Sequence, residues 1–256
     1  YIILRHFMKL VNLTVITIFC IKVSSTKAQE PSYVYPAGTT IKERFKAPQG
    51  YKRIENDPKT FSYYLQSLSL KPVGEEVHYY TGGIKANNGK YIAVVDMEIG
   101  EKDLQQCADA VIRLRAEYLY KQKKYSSIHF NFISDGKPRY YTGYIKGDYS
   151  YKKFREYCDY IFMYANTGSL LNELETVNNI ADICVGDVFI QKGKPFGHAV
   201  IVVDVAVNGL TGKKIYLLAQ SYMPAQEIHV LQNPMNKTIS PWYEVNSHTI
   251  YTPEWT

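Results

Sequence analysis

Three side chains have the types and the order that thiol chemistry needs: Cys107, His198 and Gln220. A neutral imidazole beside a cysteine can take its proton and release the thiolate that attacks carbonyl carbon, and a helix N-terminus favours that anion. A glutamine carbonyl beside the imidazole can fix which ring nitrogen carries the proton. Directly after Gln220, the polar, turn-forming run Ser221-Tyr222-Met223-Pro224-Ala225-Gln226 is placed to line a cleft next to His198, so Ser221, Tyr222 and Gln226 are candidate binding residues. Each candidate also has a bland reading. Free cysteine is among the most buried residue types, so Cys107 also reads as a core thiol. His198 also reads as a strand-mouth histidine satisfied by backbone, and the 220–226 run as a tight loop with satisfied amides.

The elements that must position these groups follow from periodicity. Leu104, Cys107, Ala108, Val111, Leu114 and Tyr118 form the apolar stripe of a helix from Leu104 to about Lys121, with Asp103 as N-cap. That start puts Cys107 about four residues inside the helix. Asp109, Arg113 and Glu117 read as an i,i+4 charge ladder on its surface. His198 opens an apolar strand running to Val207, after a strand from Asp187 to Gln191; Lys214 to Ser221 and Glu227 to Leu231 are two further strands. Earlier, Val77 to Thr81 and Tyr91 to Ile99 flank Asn87-Asn88-Gly89-Lys90 and read as a hairpin, with Asp96 and Glu98 on its solvated face. A short helix follows Phe61, Ile128 to Phe132 is a strand, and two more helices run from Tyr151 to Ala165 and from Ser169 to Leu174. This order is α+β, with a mainly antiparallel sheet and packed helices.

Met8-Lys9, the apolar run Leu10 to Val23 and the small residues Ser24-Ser25-Thr26-Lys27-Ala28 read as a secretory signal peptide over residues 1–28, with Met8 as its start. The run is too short for a permanent membrane span. The expected organisation is then an extended segment at 29–50 and one globular domain at 51–256. Export to the periplasm or envelope places Cys107, Cys158 and Cys184 where disulfides form, and a Cys158–Cys184 bridge would leave Cys107 free. The net charge of +6 comes without a long basic run, so nucleic acid is not an expected partner. The 24 tyrosines serve either packing or sugar stacking. No H-E-x-x-H, C-x-x-C, G-x-S-x-G or phosphate-cradling glycine loop occurs, so no metal, nucleotide or other cofactor is expected.

The stretches Asp103 to Tyr118, Gly186-Asp187-Val188-Phe189-Ile190, Gly197 to Asp204, Leu217 to Gln226, Pro241-Trp242-Tyr243 and Thr252-Pro253-Glu254-Trp255 resemble an exported bacterial family, the domain of unknown function numbered 4846. That resemblance spans about Tyr51 to Trp255 and implies no particular activity. The Gly186–Ile190 and Gly197-His198 strand pair, with the order Cys, His, Gln, is also similar to papain-like amidases and endopeptidases of the cell wall. This second resemblance implies a papain-like C-terminal half, with Cys107 as nucleophile, His198 as base and Gln220 as the group that orients it. The expected substrate is an amide or ester in peptidoglycan or a related polymer. The competing expectation is a non-catalytic module that binds envelope glycan or a partner protein through Tyr222 and its neighbours.

Overall fold

The computed structural model describes residues 33–193, 196–245 and 250–255, so the signal-peptide segment lies outside the described residues. In chain order the elements are α1 (Ile41–Arg44), β1 (Tyr51–Arg53), α2 (Phe61–Gln66), β2 (Tyr91–Val94), α3 (Cys107–Lys121), β3 (His129–Asn131), β4 (Pro138–Tyr140), α4 (Tyr141–Ile145), α5 (Tyr151–Phe162), α6 (Thr167–Glu173), β5 (Val188–Gln191), β6 (His198–Asn208), β7 (Lys214–Gln220), β8 (His229–Leu231) and β9 (Tyr243–Glu244). The α+β class and the antiparallel sheet are as expected. Among the described residues, no helix is long and apolar enough to cross a membrane.

β6 is the hub. Its first nine residues are all buried, and their near-continuous apolar run is what a strand covered on both faces requires. One edge pairs with β7; the other pairs first with β5 and then with β1. β8 extends the sheet from β7 to β2, and β9 pairs with the start of β7. The register explains why His198 and Gln220 meet. Ile201 lies opposite Ala219, and one further step puts Val200 opposite Gln220. His198, two residues from Val200, is therefore a diagonal neighbour of Gln220 on the same face. Gln220 in turn lies directly opposite His229. Three polar side chains thus converge on one face at the same end of the sheet.

Several expectations change. Residues 41–44 of the supposedly extended segment form a helix, and Ile41 and Phe45 are fully buried because that helix docks under α2 and β6. The expected hairpin is absent: β2 pairs with β8, and Tyr79 bridges to Gln226, so Asp96 and Glu98 lie beyond the strand end and are exposed. No bridge joins Cys158 to Cys184: Cys158 is buried on the inner face of α5, whereas Cys184 is exposed.

The supposed surface ladder is buried. Arg113 has no exposed surface and places all three guanidinium nitrogens: Nε on Glu117 Oε1 at 2.8 Å, Nη1 on Gln105 Oε1 at 2.9 Å, and Nη2 on Tyr151 Oη at 3.1 Å. Tyr151 donates to the same Glu117 oxygen at 2.7 Å. This cluster ties the middle of α3 to α5 and to the loop that leads into Cys107. Truncating one partner strands the other's charge in the core. Arg113→Ala is expected to lose about 3–5 kcal/mol in urea unfolding, with much of that recovered when Glu117→Leu is combined with Arg113→Leu.

Candidate functional site

α3 begins at Cys107 itself, three residues later than its apolar stripe suggests. Asp103 does not cap the helix: its Oδ1 accepts from Gln106 Nε2 at 3.1 Å and from the Ala225 backbone N–H at 2.7 Å, pinning the 223–226 loop. Gln106 is the N-cap, in extended conformation, and its N–H donates to Asp109 Oδ2 at 3.0 Å. Cys107 therefore occupies the first helical position, where first-turn N–H groups have no intrahelical acceptor and the helix dipole is strongest.

The Cys107 sulfur lies 4.0 Å from the Gly197 carbonyl oxygen, against the residue before His198. Burial pushes its thiol up, partly offset by hydrogen bonds from the Ala199 and Ala108 backbone and from the Thr167 side chain. Its partners thus come from both sides of His198, and the resting form is the thiol rather than the thiolate that a helix terminus alone suggests. Gly197 permits this approach. A Cβ there would stand 2.7 Å from the Gln191 carbonyl oxygen and 3.1 Å from Thr167 Cγ2.

His198 is buried, and its Nε2 lies 2.8 Å from Gln220 Oε1. An amide oxygen only accepts, so Nε2 carries the proton and Nδ1 the lone pair. Nδ1 is buried and has no hydrogen-bond partner among the described residues. Burial lowers the imidazole's pKa, with the Gln220 hydrogen bond and the Glu254 charge opposing it. Trp255 stacks on the ring, with centroids 5.0 Å apart at 21°, and Tyr222 meets it edge-on at 5.2 Å. Trp255 is itself anchored by Nε1 on Gln191 Oε1 at 2.7 Å.

Cys107 opens onto a cavity of about 750 Å³ between the start of α3, the start of α6 and the loop before β6. Gln106, Asp109, Thr167, Phe196 and Met223 share its wall, while His198 stands behind Gly197 and contributes no surface to it. Of the three candidate binding residues, only Tyr222 remains partly exposed. Ser221 is fully buried and donates inside the protein, near Gln105 O at 2.9 Å and Gln226 O at 2.6 Å. Gln226 is buried and accepts from Lys85 Nζ at 2.6 Å. Both hold the loop's shape instead of facing a ligand.

Glu254, Trp255, His229 and Thr167 were missing from the sequence-based site. Glu254 and Trp255 stand within the terminal Thr-Pro-Glu-Trp run, but nothing local in that run points to the imidazole. Two matches to the family profile described as a domain of unknown function (4846) cover residues 41–148 and 135–256. The chain belongs to that family. No curated protein and no solved structure matches it.

Asp109 carries the most perturbed carboxyl at the site. Burial raises its pKa to about 8 against backbone hydrogen bonds that lower it, and its Oδ1 is unpartnered among the described residues. The folded chain therefore holds a proton that the unfolded chain releases near pH 4, and the stability linked to it is lost as pH rises from about 4 to about 8. Asp109→Asn keeps an acceptor for the Gln106 N–H but cannot titrate. In urea titrations across that window, its stability relative to the unsubstituted protein is expected to climb with pH by a few kcal/mol and level off above about pH 8.

Proposed function

We propose that the protein is an exported thiol hydrolase of the cell envelope that cleaves an amide or ester in peptidoglycan or a related polymer. The observations that carry this reading are Cys107, at the first position of α3 with its sulfur against the Gly197 carbonyl, and the adjoining His198, whose Nδ1 has no partner among the described residues while Nε2–H is held by Gln220. Export rests on the signal-like order of residues 8–28, and the polymer substrate on the similarity to cell-wall amidases.

With the thiol raised and the imidazole lowered, both partners rest neutral, so the thiol proton must move to His198 Nδ1 as sulfur attacks. The new C–S bond places negative charge on the substrate oxygen, where the first-turn N–H groups of α3, which have no intrahelical acceptor, can receive it. Collapse breaks the bond to the leaving nitrogen or oxygen, which takes the proton from His198 once the ring, standing behind Gly197 in the resting protein, is exposed to the cavity, and a thioester remains. Water then gives a proton to Nδ1 and adds to the thioester; release of the carboxylic acid returns the proton to Cys107. The alternative, a non-catalytic module that binds through tyrosines around the 220–226 loop, keeps the partly exposed Tyr222 as its contact.

In a Cys184→Ser background, Cys107 should be alkylated by iodoacetamide, while Cys158, whose thiol burial pushes to about 12, should not react in the folded protein. His198→Ala should slow Cys107 alkylation about tenfold or more. An unchanged rate would sink the hydrolase reading. Because His198 must be neutral to act, the acid limb of the rate profile is expected below about pH 6.5, the ordinary histidine value.

A further inference from the structure

Glu254 Oε2 accepts from Gln220 Nε2 at 2.8 Å, and its Oε1 accepts from buried Lys85 at 2.6 Å and pairs with Lys90 at 3.3 Å. Burial works against the charge on Glu254, but the hydrogen bond and charge of Lys85 oppose it and keep the carboxyl below the ordinary carboxylate value. Glu254 is therefore ionised near neutral pH and offers only acceptors. On the other side, His229 Nδ1 lies 2.8 Å from the Glu227 carbonyl, which forces a proton onto that nitrogen. A neutral His229 ring then presents the Nε2 lone pair, 3.5 Å from the same Gln220 Nε2. Burial lowers the pKa of His229 and favours that neutral ring.

We infer that Glu254 and His229 are positioning residues: facing the Gln220 NH2 with acceptors on two sides, they turn its carbonyl toward His198 and thereby set the tautomer that leaves Nδ1 free. A glutamine amide alone can present either end to an imidazole, and the flipped end would donate to Nε2 and move the ring proton to Nδ1. The Coulombic anchor of this relay is the Lys85–Glu254 pair, whose side chains are 4% and 6% exposed. Its consequence for catalysis rests on the hydrolase reading; the tautomer itself does not.

Long-range ¹⁵N–¹H correlation of the histidine rings in the full chain at neutral pH, with His198→Gln to assign the signal, reads the tautomer directly. The unsubstituted protein should show His198 protonated at Nε2; a proton on Nδ1 overturns the inference without any variant. Glu254→Gln keeps an oxygen for Lys85 and turns an NH2 toward Gln220. It should flip the Gln220 amide, move the ring proton to Nδ1 and slow Cys107 alkylation about tenfold or more. An unchanged tautomer in folded Glu254→Gln also overturns it. A Cys107 that never reacts, with the tautomer shift intact, counts against the hydrolase reading alone.

Discussion

β6 must be buried along nearly its whole length, and that constraint separates its two buried polar side chains by what each is for. A polar group taken out of water costs free energy unless it finds a partner. Asp204, midway along the strand, is fully satisfied: it accepts from Arg53 at 2.7 Å, Gln66 at 2.8 Å and the Val205 N–H at 3.0 Å. Those bonds stitch β1 and α2 to the sheet. His198, at the strand's mouth, is satisfied on one nitrogen only. The same burial that makes Asp204 a structural bolt leaves His198 with a lone pair that has no partner among the described residues.

The electrostatics of the site follow from that shared burial. Desolvation penalises whichever form is charged, so it raises the Cys107 thiol and lowers the His198 imidazole together. A pre-formed thiolate–imidazolium pair is thus disfavoured in the buried site. The N-terminal dipole of α3 favours negative charge at Cys107, and in the proposed hydrolase it would act on that charge as it develops. Gly197 serves the same end by steric means, because only a residue without Cβ lets β6 lie this close to Gln191 and Thr167.

The sequence made the strands of the C-terminal third and the long helix legible because each is written in local periodicity. It misplaced the start of α3 because Asp103 is as good an N-cap as Gln106 by residue type. The deciding partners, Ala225 and Asp109, are set by tertiary packing and by a backbone turn. It read Arg113 and Glu117 as solvated because i,i+4 charge spacing looks the same on a surface and in a core. Only Tyr151 and Gln105, both brought in by the fold, reveal the difference. The 220–226 run looked like a ligand-binding loop for a related reason, since polar side chains that bind a ligand and polar side chains that fold a loop have the same composition.

Glu254 marks the limit of local reading most clearly. It reaches Gln220 and Lys85 across 34 and 169 residues of chain, and no pattern of spacing encodes that meeting. Once it is in place, the direction of causation in the site runs inward from the edge: the lysine fixes the carboxylate, the carboxylate fixes the amide, and the amide fixes the ring. Each step uses a group that can only donate or only accept to remove an ambiguity in the next. His198 receives the outcome of that sequence as a ring with one available nitrogen.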